Sequence, residues 1–300
     1  MADLQWNADL DGCQVGAVSV RRVAELENIP FAASDIYADQ SEDIIRGLKD
    51  IFGARHIDPK SLALLLSFHS FVVRSGGRTI LVDACVGNHK ARPTRPAWHL
   101  RDGAFLADLA AAGVAPEDVD VVLCTHLHAD HVGWNTKLEN GAWKPTFPNA
   151  EYLFAEKEYA HWKQQFDANP TEPLNYGSFE DSVLPVVAAG QATMVAGDHR
   201  VESGIYLEPA YGHTPGNVLV HLEGGGDHAI LSGDVIHHLV QLAHPDWSTN
   251  FCFDGDQSRR TRIGLLESYA GTKTLLLPAH FQAPEYGRIQ RDGKQFRIER

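Results

Sequence analysis

The sequence predicts a layered α/β fold in which sheets are covered by helices. Two observations carry that reading. Apolar and β-branched runs of strand length come in groups, and segments of helical periodicity are interposed between them. A third is positional: histidines and aspartates recur directly after the strand-like runs, where a rigid scaffold presents its loop residues.

In chain order, residues 62–68, 70–73 and 79–82 are apolar or β-branched, and Ser75-Gly76-Gly77 interrupts them. They read as antiparallel strands of a hairpin, with Asp83 at the strand end. Phe105, Leu106, Leu109 and Ala110 share one face of a helix over 103–113. Pro116-Glu117-Asp118 turns the chain into a strand over 119–124, and His126 follows it. A strand over 151–154 leads to a helix over 156–166, and strands follow over 191–195 and 205–209. Strands at 218–222 and 229–231 flank Gly224-Gly225-Gly226-Asp227, a hairpin signal. A helix over 256–269 and a strand over 274–277, stopped by Pro278, close the pattern. Residues 8–57 and 159–187 carry little pattern, and either reads as a lid or a dimer contact. No repeat or Gly/Ser linker divides the chain. One domain over 1–300 is expected, with 1–60 an N-terminal extension or a dimer or lid segment.

Composition bounds the function. With 300 residues, 44% hydrophobic and 22% charged, the chain suits a globular protein that buries a large core. Its net charge of -13 disfavours nucleic acid and anionic membranes as partners, and reads most simply as solubility. Cys13, Cys85, Cys124 and Cys252 form no CxxC pair, so a reducing compartment fits. The N-terminus lacks a basic-then-apolar signal, and no apolar stretch approaches the roughly 18 residues of a membrane span. The expected location is the cytoplasm, the expected partner a small molecule, and a homodimer is open.

The chemistry centres on Thr125-His126-Leu127-His128-Ala129-Asp130-His131. Residues two apart in an extended segment point the same way, so His126 and His128 can bind one ion together. Asp130 and His131 lie in the turn beyond, where the chain can redirect them to a second. Imidazole nitrogen and carboxylate oxygen suit zinc. Three histidines and an aspartate crowded into six residues would be costly as merely buried polar groups. Downstream, His213 sits in the turn Gly212–Gly216, Asp234 follows the strand at 229–231, and His280 follows the strand at 274–277.

This ordered set, His126-x-His128-x-Asp130-His131 with His213, Asp234 and His280, resembles the metallo-β-lactamase superfamily over about residues 64–281. The resemblance implies a four-layer αβ/βα sandwich, two mixed sheets flanked by helices, with metals at one edge of the sheets. It implies that His126, His128 and His213 hold one ion and Asp130, His131 and His280 another, with Asp234 bridging. Two zinc ions are the expected cofactors, with manganese, iron and cobalt as alternatives. Asp83 resembles the aspartate that the fold places beneath the site. His131, and Asp234 in place of cysteine, resemble the glyoxalase II, lactonase and organophosphate hydrolase branches. His128, where flavodiiron members carry glutamate, disfavours oxygen reduction. The segments 83–88, 131–135 and 233–238 resemble the lactonase-like branch, near the methyl-parathion and chlorothalonil hydrolases. Asn217 departs from that branch, since many lactonases carry a second histidine there.

The expected function is therefore a dinuclear hydrolase whose metal-bridging hydroxide attacks a small lactone or ester. Alternatives are an organophosphate or phosphoester hydrolase, a hydrolytic dehalogenase, and a metal-stabilised binding protein. Asp130 or Asp234 is expected to shuttle the proton, Tyr211 to donate to a developing oxyanion, and His237 or His238 to touch substrate. Trp134, Asn135, Gln241, His244 and His69 are further candidates for the pocket. Trp98, Trp134, Trp143, Trp247 and Phe281 suggest an apolar substrate moiety, although most such aromatics are core. Arg92 and Arg95 belong to a loop that could cover the site or bind an anion, with solvent-facing charge the simpler reading.

Overall fold

The computed structural model describes residues 4–9, 11–37 and 42–300. Two seven-stranded sheets form its centre. The first takes β1 (Gly12–Val15), β2 (Val18–Phe31), β3 (Leu64–Ser75), β4 (Arg78–Val82) and β5 (Val121–Leu123) side by side. The chain then makes a separate hairpin, β6 (Thr136–Glu139) and β7 (Ala142–Pro145), before adding β8 (Glu151–Ala155) and β9 (Ala192–Val195) to that sheet. The second sheet runs in sequence order: β10 (Arg200–Glu202), β11 (Ile205–Pro209), β12 (Val218–Gly224), β13 (Asp227–Leu231), β14 (Leu275–Leu277), β15 (Gly287–Asp292) and β16 (Gln295–Glu299). Both sheets are mixed. The first is antiparallel from β1 to β4 and parallel beyond, whereas the second is antiparallel except where β13 meets β14.

Strand alternation explains the layering. Ile80, Val82, Val121 and Leu123 join Val218, Val220, Leu231 and Leu277 in one buried cluster between the sheets. Their neighbours Leu81 and Val122 face the other way, into a second cluster with Phe105 and Leu109 of the helix Phe105–Ala111. Tyr159 and Trp162 of the helix Glu156–Ala168 pack there too. On the second sheet Leu219, Ile230 and Leu276 alternate with Val218, Val220, Leu231 and Leu277 and face outward, and Leu265 and Leu266 of the helix Gly255–Tyr269 are buried in the same cluster with them. The order is helix, sheet, sheet, helix, as expected of the four-layer α/β sandwich.

Several boundaries differ from the expectation. The runs at 62–68 and 70–73 are one strand, β3, because His69 between them is buried and paired to Ser67 Oγ at 2.9 Å and Tyr286 Oη at 3.1 Å. Part of the segment 1–60 contributes strands to the first sheet. β1 and β2 are integral to the first sheet, with β2 pairing along β3 from Ser19 to Phe31. The parts of that segment at 1–3, 10 and 38–41 lie outside the described residues. Among the described residues, no helix is long and apolar enough to cross a membrane.

The topology gathers the site. Val82 pairs with Leu123 in parallel strands, so the chain leaves β4 into Asp83 and β5 into Thr125-His126 side by side. Leu231 pairs with Leu277 in the same way, which brings Asp234 beside His280. The turn between β11 and β12 carries His213 to the same edge.

Candidate metal centre

His126, His128, His213 and Asp234 form one cluster of potential ligand atoms, and Asp130, His131 and His280 form another, the atoms within each lying within 4.8 Å of one another. In the first cluster, His126 Nε2 and His128 Nδ1 are 3.1 Å apart, His213 Nε2 and His126 Nε2 3.1 Å, and His213 Nε2 and His128 Nδ1 2.9 Å. A neutral imidazole has one N–H and one lone pair, so hydrogen bonds alone satisfy such a triangle poorly. Three nitrogens about 3 Å apart are close to the edges of a tetrahedron around an ion bound at roughly 2.0–2.1 Å.

Asp234 stands between the clusters. Its Oδ2 lies 3.2 Å from His213 Nε2 and 3.7 Å from His126 Nε2, while its Oδ1 lies 3.0 Å from His280 Nε2 and 3.2 Å from His131 Nε2. Asp130 Oδ2 is 3.6 Å from His280 Nε2 and 3.8 Å from His131 Nε2. Asp234 Oδ1 and His131 Nε2 are buried and lack hydrogen-bonded partners of good alignment. Buried polar atoms in that condition call for a ligand.

The ring nitrogens opposite the cluster are held. His131 Nδ1 meets Asp83 Oδ2 at 2.9 Å, and His280 Nδ1 meets the Ser67 carbonyl at 2.9 Å. Thr125 donates to Asp83 through its backbone N–H at 2.7 Å and through its hydroxyl, and that hydroxyl lies 3.1 Å from His126 Nδ1. Asp83 therefore orients His131 directly and His126 through Thr125, leaving their Nε2 lone pairs to face inward.

Charge favours a cation here. Burial opposes protonation of His131, but Asp234, Asp83 and Asp130 outweigh it and raise its pKa well above the ordinary value. His213, likewise buried, is raised to about 9 chiefly by Asp234. Burial holds His126 and His128 well below the usual histidine range, and neutral imidazole is the ligating form. Nitrogen and oxygen donors in this number fit divalent ions of the zinc type.

A sequence profile described as the metallo-beta-lactamase superfamily matches residues 67–278. The chain belongs to that superfamily. No curated protein matches the sequence. The hydrolase AbOPH of the beta lactamase superfamily is similar in structure, with 22% identity, a TM-score of 0.79, and coverage of 99% of this chain and 97% of that one. AidC, a dizinc quorum-quenching lactonase in complex with its product, has 20% identity, a TM-score of 0.78, and coverage of 99% and 98%. A probable metal-dependent hydrolase from Staphylococcus aureus has 18% identity, a TM-score of 0.73, and coverage of 96% and 98%. A metallo-beta-lactamase fold with hydrolases as neighbours supports a metal-dependent hydrolase, and the fold implies divalent metal ions.

The cluster opens into a cavity of about 820 Å³ lined by His128, Asp130, His213, Asp234, His237 and His280 at one end. His237 Nε2 lies 3.1 Å from Asp234 Oδ2, and burial depresses its pKa to about 4. Tyr211, expected to donate to an oxyanion, lines a separate surface depression with Gly197 and Lys157, whose Nζ sits 3.7 Å over its ring. The backbone at Gly212, with φ +126 and packed onto Ser258, carries Tyr211 and His213 apart. His238 is also turned away, bonded to the His56 carbonyl at 2.9 Å. Trp134 stacks on Phe105, Asn135 lies against Cys124, His244 stacks on Trp247, and Asn217 ties back to the Ala210 carbonyl. Gln241 accepts from the His237 backbone N–H at 2.7 Å.

Sequence reasoning missed Glu158, which is buried and accepts from Leu127 N at 3.1 Å, Gly216 N at 2.8 Å and Trp162 Nε1 at 2.7 Å. It joins the His126–His131 loop to the His213 loop. Gly216 packs so tightly on Glu158 that a Cβ would lie 2.2 Å from its backbone nitrogen, a contact that the sequence does not display. The apolar wall of Phe31, Leu66, Phe68 and Phe251 was missed as well, and of the expected aromatics only Trp98 joins it.

Proposed function

We propose that this chain is a dinuclear metal-dependent hydrolase acting on a small lactone or ester, with two zinc ions the preferred cofactors and manganese, iron or cobalt as alternatives. The observation that carries the reading is the division of Asp234, one carboxylate oxygen facing each histidine cluster at the floor of an apolar cavity. His126, His128 and His213 would hold one ion, Asp130, His131 and His280 the other, and Asp234 both. When bound, such a pair of ions acidifies water and polarises a carbonyl.

The chain's own residues do the rest. Asp83 and the Ser67 carbonyl fix the ring orientations of His131 and His280. Asp130 lines the cavity with its carboxylate beside the centre, where it can take the proton lost by the attacking water and return it to the leaving oxygen. His237, held neutral beside Asp234, can hydrogen-bond a substrate oxygen. The wall of Phe31, Leu66, Phe68, Trp98 and Phe251 excludes water and accepts an acyl or aryl group. Lactonases among the similar structures favour a lactone over a phosphotriester.

The reading is tested by acid release from a panel of lactones, aryl esters, phosphotriesters and a chlorinated aromatic, using metal-loaded, chelated and Asp234→Ala protein. Turnover of the lactones or esters, lost in both controls, is expected. Turnover of the phosphotriesters or the chloroarene alone, or none of any class, overturns it.

A further inference from the structure

Arg95 is the one arginine or lysine among the described residues lining the cavity. Among the described residues no carboxylate pairs with it, whereas its neighbour Arg92 is buried and holds both oxygens of Asp181, at 2.7 and 2.9 Å. Buried Lys90 also reaches this region, donating to Thr136 Oγ1 at 2.6 Å and to the Asp181 carbonyl. The loop is thus anchored on either side of residue 91, and Arg95 projects from a fixed base.

Arg95 Cζ lies 5.7 Å from the Trp98 ring, 5.2 Å from Tyr176 and 5.7 Å from Phe251. Two aromatic walls run from the metal centre to this guanidinium. On one, the Phe251 ring is 6.2 Å from the His237 ring. On the other, the Phe68 ring is 5.0 Å from His280 and 5.5 Å from Trp98. The Tyr176 hydroxyl accepts from Arg95 Nε at 3.2 Å and Nη2 at 2.8 Å. A guanidinium carries five N–H donors, so the Nη1–Nη2 edge keeps two parallel N–H groups, the fork that a carboxylate accepts. The other carboxylates lining the cavity, Asp130 and Asp234, are engaged with the histidines.

We propose that Arg95 is a carboxylate-binding subsite, so that the substrate is a lactone or ester with an apolar body and a carboxylate at the end remote from the scissile bond. This rests on the hydrolase reading for the scissile end. The body lies between the aromatic walls, the carbonyl at the histidine clusters and the carboxylate on the Arg95 fork. The guanidinium is half-buried and has a hydroxyl and three rings as its neighbours, so a carboxylate would give it an anionic partner that the cavity wall itself does not supply.

Binding and turnover separate the two readings. Calorimetry would compare 4-phenylbutyrate with 4-phenylbutyramide on the metal-loaded wild type, Arg95→Met and Arg95→Lys, with circular dichroism melting to check that each variant folds. The carboxylate should bind tenfold or more tightly in the wild type, lose that preference in Arg95→Met and keep part of it in Arg95→Lys. In parallel, kcat/KM for a phenyl ester bearing a terminal carboxylate should exceed that for its carboxamide in the wild type, and only the former should fall in Arg95→Met. A preference that survives in Arg95→Met places the carboxylate elsewhere, the metal centre included, and overturns the subsite. No preference in the wild type overturns it too. Preferential binding without turnover of either ester keeps the subsite and counts against an ester as the scissile group.

Discussion

Asp83 controls more of the centre than its position outside the two clusters suggests. It adopts φ +58, a conformation that aspartate and asparagine tolerate better than most residues, and from there reaches His131 and Thr125 at once. Asp83→Asn keeps the backbone preference and removes the charge that holds the His131 N–H. Metal affinity measured by chelator competition should fall by about 10–100-fold, with the fold retained. An unchanged affinity would show that His131 is oriented without it. The residues of the two clusters were legible in sequence because they are local in the motif at 126–131 or sit directly after strands. Tyr211 is two residues from His213 in sequence yet lines a different depression, because Gly212 turns the chain between them. The cavity wall was illegible, since Phe31, Phe68, Trp98 and Phe251 come from four distant segments.

β2 is the element that the sequence concealed. Its pairing with β3 slips between Ala24 and Leu26 and again between Leu26 and Ile29, so strict alternation is lost along the strand. The first irregularity has a function in the fold. Glu25 turns inward there, and accepts from Val86 N at 2.8 Å and Trp134 Nε1 at 2.9 Å. It thus pins the loop after Asp83 to the segment after His131. Glu25→Ala strands two buried donors, each worth about 1–3 kcal/mol. Thermal melting should show a clear drop in Tm relative to the wild type, and a Tm within a degree or so of it would mean that water replaces the carboxylate. The C-terminal hairpin of β15 and β16 also escaped notice. Its charged residues alternate with Ile289 and Phe296 too sparsely to mark strands without their partners.

At the scale of the molecule, the centre joins the two sheets. Asp83, His126, His128 and His131 follow strands of the first sheet, whereas His213, Asp234 and His280 follow strands of the second. An ion held by both groups would stabilise the sandwich as well as drive its chemistry, because whatever binds the folded state alone adds to its stability. Chelation should therefore lower Tm, and added zinc should restore it. Metal content settles the question most simply, by elemental analysis and native mass spectrometry of protein purified without added chelator. Two divalent ions per chain in the wild type, falling below two in Asp234→Ala, are expected if that carboxylate spans both clusters. A wild-type chain that holds no divalent ion, or one that Asp234→Ala leaves in place, contradicts a dinuclear centre built on Asp234.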